Sequence, residues 1–174
     1  MKTYKPRIIV AAILLAAAWC LWYARPVNFR VLTGIQDPDY IDILVYSISE
    51  DEIPHSSFRL RPGDPDMETV LQELETLQFH RNPLDFVQKL GAKTGLFDGT
   101  GRWMSYDKTD YDIWIGFHEG DRRSAVRSFG NNNWFYEYIN HYDIPISLTN
   151  NSRGREFGTF LFEMRQAREN SPAG

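Results

Sequence analysis

The first strong pattern along the chain is an unbroken apolar run. Residues Ile8 to Ala24 read IIVAAILLAAAWCLWYA, about 17 residues without a charge. That length is at the lower limit for a helix crossing a bilayer. Arg25-Pro26 ends the run, because proline disfavours helix in the residue before it. Residues 26–38 then read as a linker that can pack onto the domain beyond.

A strand is predicted over Tyr40 to Ile48. Ile41, Ile43 and Val45 fall on one face, and Tyr40, Leu44, Tyr46 and Ile48 on the other. Apolar residues on both faces are the mark of a covered, interior strand. The polar stretch Ser49 to Pro54 turns the chain, and Ser56 to Leu60 is a second, short strand. A helix follows from Asp64. Asp64 suits the N-cap, Pro65 the first helical position, and Asp66 and Glu68 the positive end of the helix dipole. Met67, Val70, Leu71, Leu74 and Leu77 recur at helical spacing as one apolar stripe.

Asn82-Pro83 repeats the cap-then-proline signal ahead of a short helix, Leu84 to Leu90. The stretch at 91–110 is rich in Gly, Thr and Asp and reads as a long loop. Beyond it the period changes to two. Tyr111, Ile113, Ile115 and Phe117 alternate with Asp112, Trp114, Gly116 and His118. Turns at Glu119-Gly120-Asp121 and Gly130 to Asn133 lead into Ser124 to Phe129 and Trp134 to Ile139, a β-meander. A last helix spans Arg155 to Arg168, with Phe157, Phe160, Leu161 and Met164 on its buried face. Residues 170–174 form a frayed tail. The expected architecture is α+β: an antiparallel sheet of five or six strands, two or three packed helices, and one N-terminal transmembrane helix. The domain itself spans 39–169.

Charge sharpens the reading of the N-terminus. Residues 1–25 hold Lys2, Lys5, Arg7 and Arg25 and no acid. Removing those four from 19 Lys+Arg leaves 15 against 23 Asp+Glu, a formal charge of −8 for the rest of the chain. Basic residues stay on the cytoplasmic side, so the N-terminus is expected inside and the domain outside. Trp19, Trp22 and Tyr23 mark the outer boundary. Two other readings of residues 1–25 stay open. Ala16-Ala17-Ala18 satisfies the small-x-small rule of a cleaved signal peptide, which would release the domain. Cys20 lies where a lipidated cysteine would, although Trp19 precedes it where a lipobox has a small residue. In every case the domain leaves the cytoplasm. Its acidity argues against nucleic acid as a partner.

Chemical motifs are few. The chain lacks G-x-S-x-G, H-E-x-x-H and a Walker loop, and the domain contains no cysteine. Asp107, Asp110 and Asp112, beside Asp98 and Gly99, could bind calcium, but their spacing is not that of an EF-hand. A solvated loop accounts for them, and neither a metal nor a cofactor is expected. His55, His80, His118 and His141 are scattered; His118 beside Glu119 is the pair suited to acid–base work. The densest feature is aromatic. On a strand, Trp134, Tyr136 and Tyr138 share one face and Phe135 and Ile139 the other. If Phe135 and Ile139 face the core, the first three form a partly exposed row that can bind a partner, unless a second layer such as the linker or the last helix covers them.

The order of elements resembles that of a loose class of small membrane-anchored extracytoplasmic proteins of Gram-positive bacteria. The resemblance is carried by Asp42-Ile43-Leu44-Val45, by Met67 to Leu77 and by Tyr111 to Ile139. It implies a non-enzymatic envelope protein and transfers no functional residue. The expected function is therefore a membrane-anchored binding module for an envelope protein, peptide or glycan. The alternatives are a membrane-tethered inhibitor or immunity protein and a cell-surface hydrolase. Such a hydrolase would draw its carboxylates from Asp107, Asp110, Asp112, Glu119 or Glu137.

Overall fold

The computed structural model describes residues 4–47, 57–83, 90, 111–129, 133–139 and 142–170. Among them the chain forms four helices and seven strands in an α+β arrangement. The helices are α1 (Tyr4–Tyr23), α2 (Phe29–Thr33), α3 (Pro65–Thr76) and α4 (Asn151–Asn170). The strands are β1 (Tyr40–Ser47), β2 (Phe58–Leu60), β3 (Phe79–Arg81), β4 (Tyr111–Glu119), β5 (Arg122–Phe129), β6 (Asn133–Ile139) and β7 (Tyr142–Leu148). They form one antiparallel sheet in the order β2-β1-β4-β5-β6-β7-β3. The chain lays down both edges first. After β1 and β2, α3 carries it across the sheet to β3 at the opposite edge. The meander β4 to β7 then fills the gap.

Register sorts the two faces. Ile43 pairs with Ile115, Ile115 with Val126, Val126 with Tyr136 and Tyr136 with Ile144. Directly paired residues point to the same side of a sheet, so these five share one face. All five are buried. A helix layer covers that face: α4 lies against β1 and β4, α2 against β5 and β6, and α3 touches both helices. Phe29 and Leu32 of α2, Val70 and Leu74 of α3, and Phe157 and Leu161 of α4 complete the core.

The local signals for α3 hold in the structure. The Asp64 side chain accepts the Asp66 N–H at 3.0 Å, and Met67, Val70, Leu74 and Leu77 are buried, with Leu71 packed at the margin. Helix α4 starts at Asn151, earlier than the expected Arg155, because the Asn150 carboxamide accepts the Ser152 N–H at 3.1 Å. Gly158 lets α4 approach β4: a Cβ there would stand 3.0 Å from the Tyr111 ring. Buried Arg165 donates to the Val45 carbonyl at 2.6 Å. Arg168 donates to both Asp64 and Asp66, tying the end of α4 to the start of α3.

Two expectations are corrected. The stretch at 26–38 is part of the folded unit. Val27, Phe29, Leu32 and Ile35 are core residues, and α2 is capped by Asn28 and ends at Gly34 with φ of 72°. The sheet has seven strands, since β3 and β7 join those anticipated. β7 contains Pro145, which normally argues against a strand. Here it falls one residue beyond the last β3 pair, Arg81 with Ile146, so β3 asks no ladder hydrogen bond of it. Among the described residues no helix is long and apolar enough to cross a membrane. The described side chains of α1 begin at Arg7, and from there to Tyr23 the helix rises about 26 Å. The expected short helix at 84–90 and the loop at 91–110 lie outside the described residues, Leu90 excepted.

Candidate functional site

The aromatic row keeps the strand alternation, but at Trp134 and Tyr136 its face is the inside of the sheet. Trp134 and Tyr136 are 1% and 3% exposed and belong to the core. Trp134 meets Phe79 edge-on, with ring centroids 5.6 Å apart. The correction follows from register: Ser128 pairs with Trp134 and Val126 with Tyr136, which places both rings under α2. Phe135 takes the opposite face and is itself buried. The Tyr138 side chain lies outside those described, as do Asp98, Asp107, Asp110, His55 and His141.

The other carboxylates resolve into separate roles. Glu119 is a structural cap: its Oε1 accepts the N–H groups of Asp37 at 2.8 Å and Gln36 at 3.0 Å. The hydrogen bonds from Asp37 and then Gln36 hold its pKa below the usual carboxylate value. Together with Asp39, which accepts the Gly120 N–H at 2.7 Å, it pins the β4–β5 turn to the segment before β1. Asp112 is buried and Glu137 half-buried, on different strands of the outer sheet face. Among the described residues no three His, Cys, Asp or Glu side chains converge as a metal site would require.

A different cluster does form, on the outer face of the β2-β1-β4 edge. Tyr40 pairs with His118, Asp42 with Gly116, and Asp42 with Arg59 across β2. These side chains therefore share the face away from the helices. Arg59 grips the Asp42 carboxylate with both arms of its fork, Nε to Oδ1 at 2.7 Å and a terminal nitrogen to Oδ2 at 3.0 Å. Its guanidinium carbon also stands 4.1 Å above the Tyr40 ring. The other side of the cluster is His118, stacked on Tyr40 with centroids 4.1 Å apart and planes 16° apart. Beside it, Trp114 lies flat along β4. A Cβ on Gly116 would come within 2.4 Å of the indole, so only glycine leaves the ring room.

The charges of this cluster are compensated within it. Asp42 is nearly buried, and a carboxylate there requires partners. Arg59 supplies them, and its hydrogen bonds to the Asp42 carboxylate raise the guanidinium pKa further. His118 Nε2 lies 3.5 Å from Asp42 Oδ2, long for a hydrogen bond. Burial is the main cause lowering the His118 pKa below its usual value; the Asp42 charge opposes it, while Arg123 and Arg59 add to it. The imidazole is therefore neutral at neutral pH. Sequence reading passed over this cluster because its members are spread from position 40 to 118. One signal was available: Asp42 is a charge in the middle of a strand apolar on both sides.

No family model, curated protein or solved structure matches the chain.

Proposed function

We propose that this chain is a membrane-anchored binding module, held by α1 with its N-terminus in the cytoplasm and its α+β domain outside. The observation that carries the reading is the state of α1. Its apolar side chains are exposed all round: Ile8, Ile13, Leu14, Leu15 and Leu21 are 62–77% exposed, and among the described side chains none of this helix belongs to the core. Apolar surface of that extent, on every side of one helix, belongs in an apolar medium. The apolar run that α1 carries, Ile8 to Ala24, is at the lower limit of a bilayer span, about 17 residues. Its polar-side neighbours fit as well, with basic residues before it and Trp19, Trp22 and Tyr23 at its end.

The face offered to a partner in this reading is the outer surface of the β2-β1-β4 edge, where the half-exposed Arg59 stands over Tyr40. A protein, peptide or glycan with carboxylate or hydroxyl groups suits the guanidinium N–H groups that Asp42 does not take up, set beside the Tyr40 ring. The anchor is tested directly. Full-length protein should sediment with membranes and resist alkaline carbonate. A reporter that works only outside the cytoplasm should be active when fused after Gly174. A full-length product in the soluble fraction, or an inactive reporter, overturns the reading.

A further inference from the structure

At the aromatic end of α1 two guanidinium groups come to rest on two adjacent rings. Arg25 lies over Trp22 with its central carbon 4.9 Å from the ring centroid, and Arg81 lies over Tyr23 at 4.3 Å. Trp19 stacks on Tyr23 at 5.3 Å. The junction is not a loose hinge. Val27 and Phe79 exchange backbone hydrogen bonds of 2.9 and 2.8 Å, joining the chain after α1 to β3. His80 Nδ1 lies 2.9 Å from the Ala24 carbonyl oxygen; a carbonyl only accepts, so that nitrogen carries the proton.

Among the described residues, no acidic side chain lies within ion-pair reach of Arg25 or Arg81. The Arg81 Nε is buried and donates no hydrogen bond. The charge of that guanidinium has no acidic partner among the described residues, which favours an anion beside it. Both cations also stand out against their surroundings, because the chain beyond residue 25 carries a net formal charge of −8.

We propose that Arg25 and Arg81 bind the phosphate of an anionic lipid headgroup, with Trp22 and Tyr23 as the floor of the site. The proposal rests on the anchor reading, since α1 brings the site to headgroup level. Guanidinium groups suit phosphate because their N–H forks match its oxygens in pairs. Trp22 is 55% exposed at the end of an apolar helix, where an amphipathic ring favours the bilayer interface. The lipid is anionic and not zwitterionic, because a choline headgroup would bring a third cation beside two guanidiniums. The site also resolves a conflict of charge: an acidic domain is repelled by an anionic surface except where basic groups meet it.

The test uses the full-length chain reconstituted in vesicles of phosphatidylcholine with a minor share of phosphatidylglycerol. Lipids retained through detergent exchange are identified by mass spectrometry. Wild type should retain phosphatidylglycerol above its share in the vesicle. R25Q should reduce that enrichment roughly fivefold at low salt, the factor for one basic residue near an anionic surface, and R25Q/R81Q further. High salt should erase the difference. R25Q changes an exposed side chain and keeps the Arg81 contacts, so it reads the site even if loss of Arg81 disturbs the fold. Equal enrichment in wild type and R25Q, or none in wild type, overturns the site. Inorganic phosphate that displaces the lipid, and binds the detergent-solubilised chain equally well, makes this a free-anion site and overturns the lipid assignment. A chain that fails to sediment with the vesicles ends the anchor reading as well; one that sediments without lipid preference ends this site alone.

Discussion

On β6, Trp134 and Tyr136 enter the helix layer while Phe135, between them, points the other way, and all three are buried. The two faces of the sheet reach that state by different means. On the helix side, apolar residues meet apolar residues in unbroken rows, from Ile43 through Ile115 and Val126 to Tyr136 and Ile144. On the outer side, the same strands present Asp42 gripped by Arg59, Tyr40 between a guanidinium and an imidazole, and Trp114 laid over Gly116. The core face depends on volume and area. The outer face depends on specific side-chain partners.

The contrast can be broken by substitution, and the core should respond most. Trp134→Ala should destabilise the domain by about 3–5 kcal/mol in urea unfolding. A loss below about 1 kcal/mol would return Trp134 to the surface and reverse the two faces. Leu74→Ala, opposite that face on α3, should cost about 2–5 kcal/mol. Both substitutions lower the unfolding midpoint, and neither should alter lipid retention once the chain is folded.

On the outer face the largest response is expected at Gly116. Gly116→Ala puts a methyl into the Trp114 ring and should cost about 1–3 kcal/mol, the range for overpacking. Most of that loss should vanish in a Trp114→Leu background, because the two changes share one contact. If the penalty persists without the indole, the glycine serves the backbone instead.

The smallest effect is a pH dependence. His118 has a lowered pKa in the folded chain, so the unfolded chain binds a proton more readily. Stability from this group is complete above the unfolded value of 6.5 and is lost as pH falls through the folded value. His118→Gln should flatten the stability profile between neutral pH and mild acid while leaving its height at neutral pH nearly unchanged. An unaltered slope would mean that the imidazole is not excluded from water as its stacking on Tyr40 implies.

Much of this fold is written locally. Asp64 and Pro65 begin α3, and the 3.6-residue stripe through Val70 and Leu74 settles which side is buried. Alternation from Tyr111 to Phe117 marks β4, and Gly120, at φ of 57°, suits the turn into β5. These signals act between neighbours in sequence, so the sequence alone is enough to read them. β3 is a different case. Three residues, Phe79–Arg81, become a strand because β7 and Val27 lie on either side of them. Nor did residues 26–38 declare themselves as core, because Phe29 and Leu32 gain their burial only from the sheet beneath α2.

What the sequence determined by itself is therefore the set of elements with strong internal period, the acidic domain, and the charged and aromatic flanks of the apolar helix. Each is fixed by local sterics, by spacing or by summed charge. Tertiary structure decided which face of β6 is the inside, because alternation defines two faces without labelling them, and only the register to Ile43 on β1 supplies the label. It also decided the Tyr40–Asp42–Arg59–His118 cluster and the meeting of Arg81 with Tyr23. Those contacts join positions up to 78 residues apart, and only strand pairing or helix docking can close such distances.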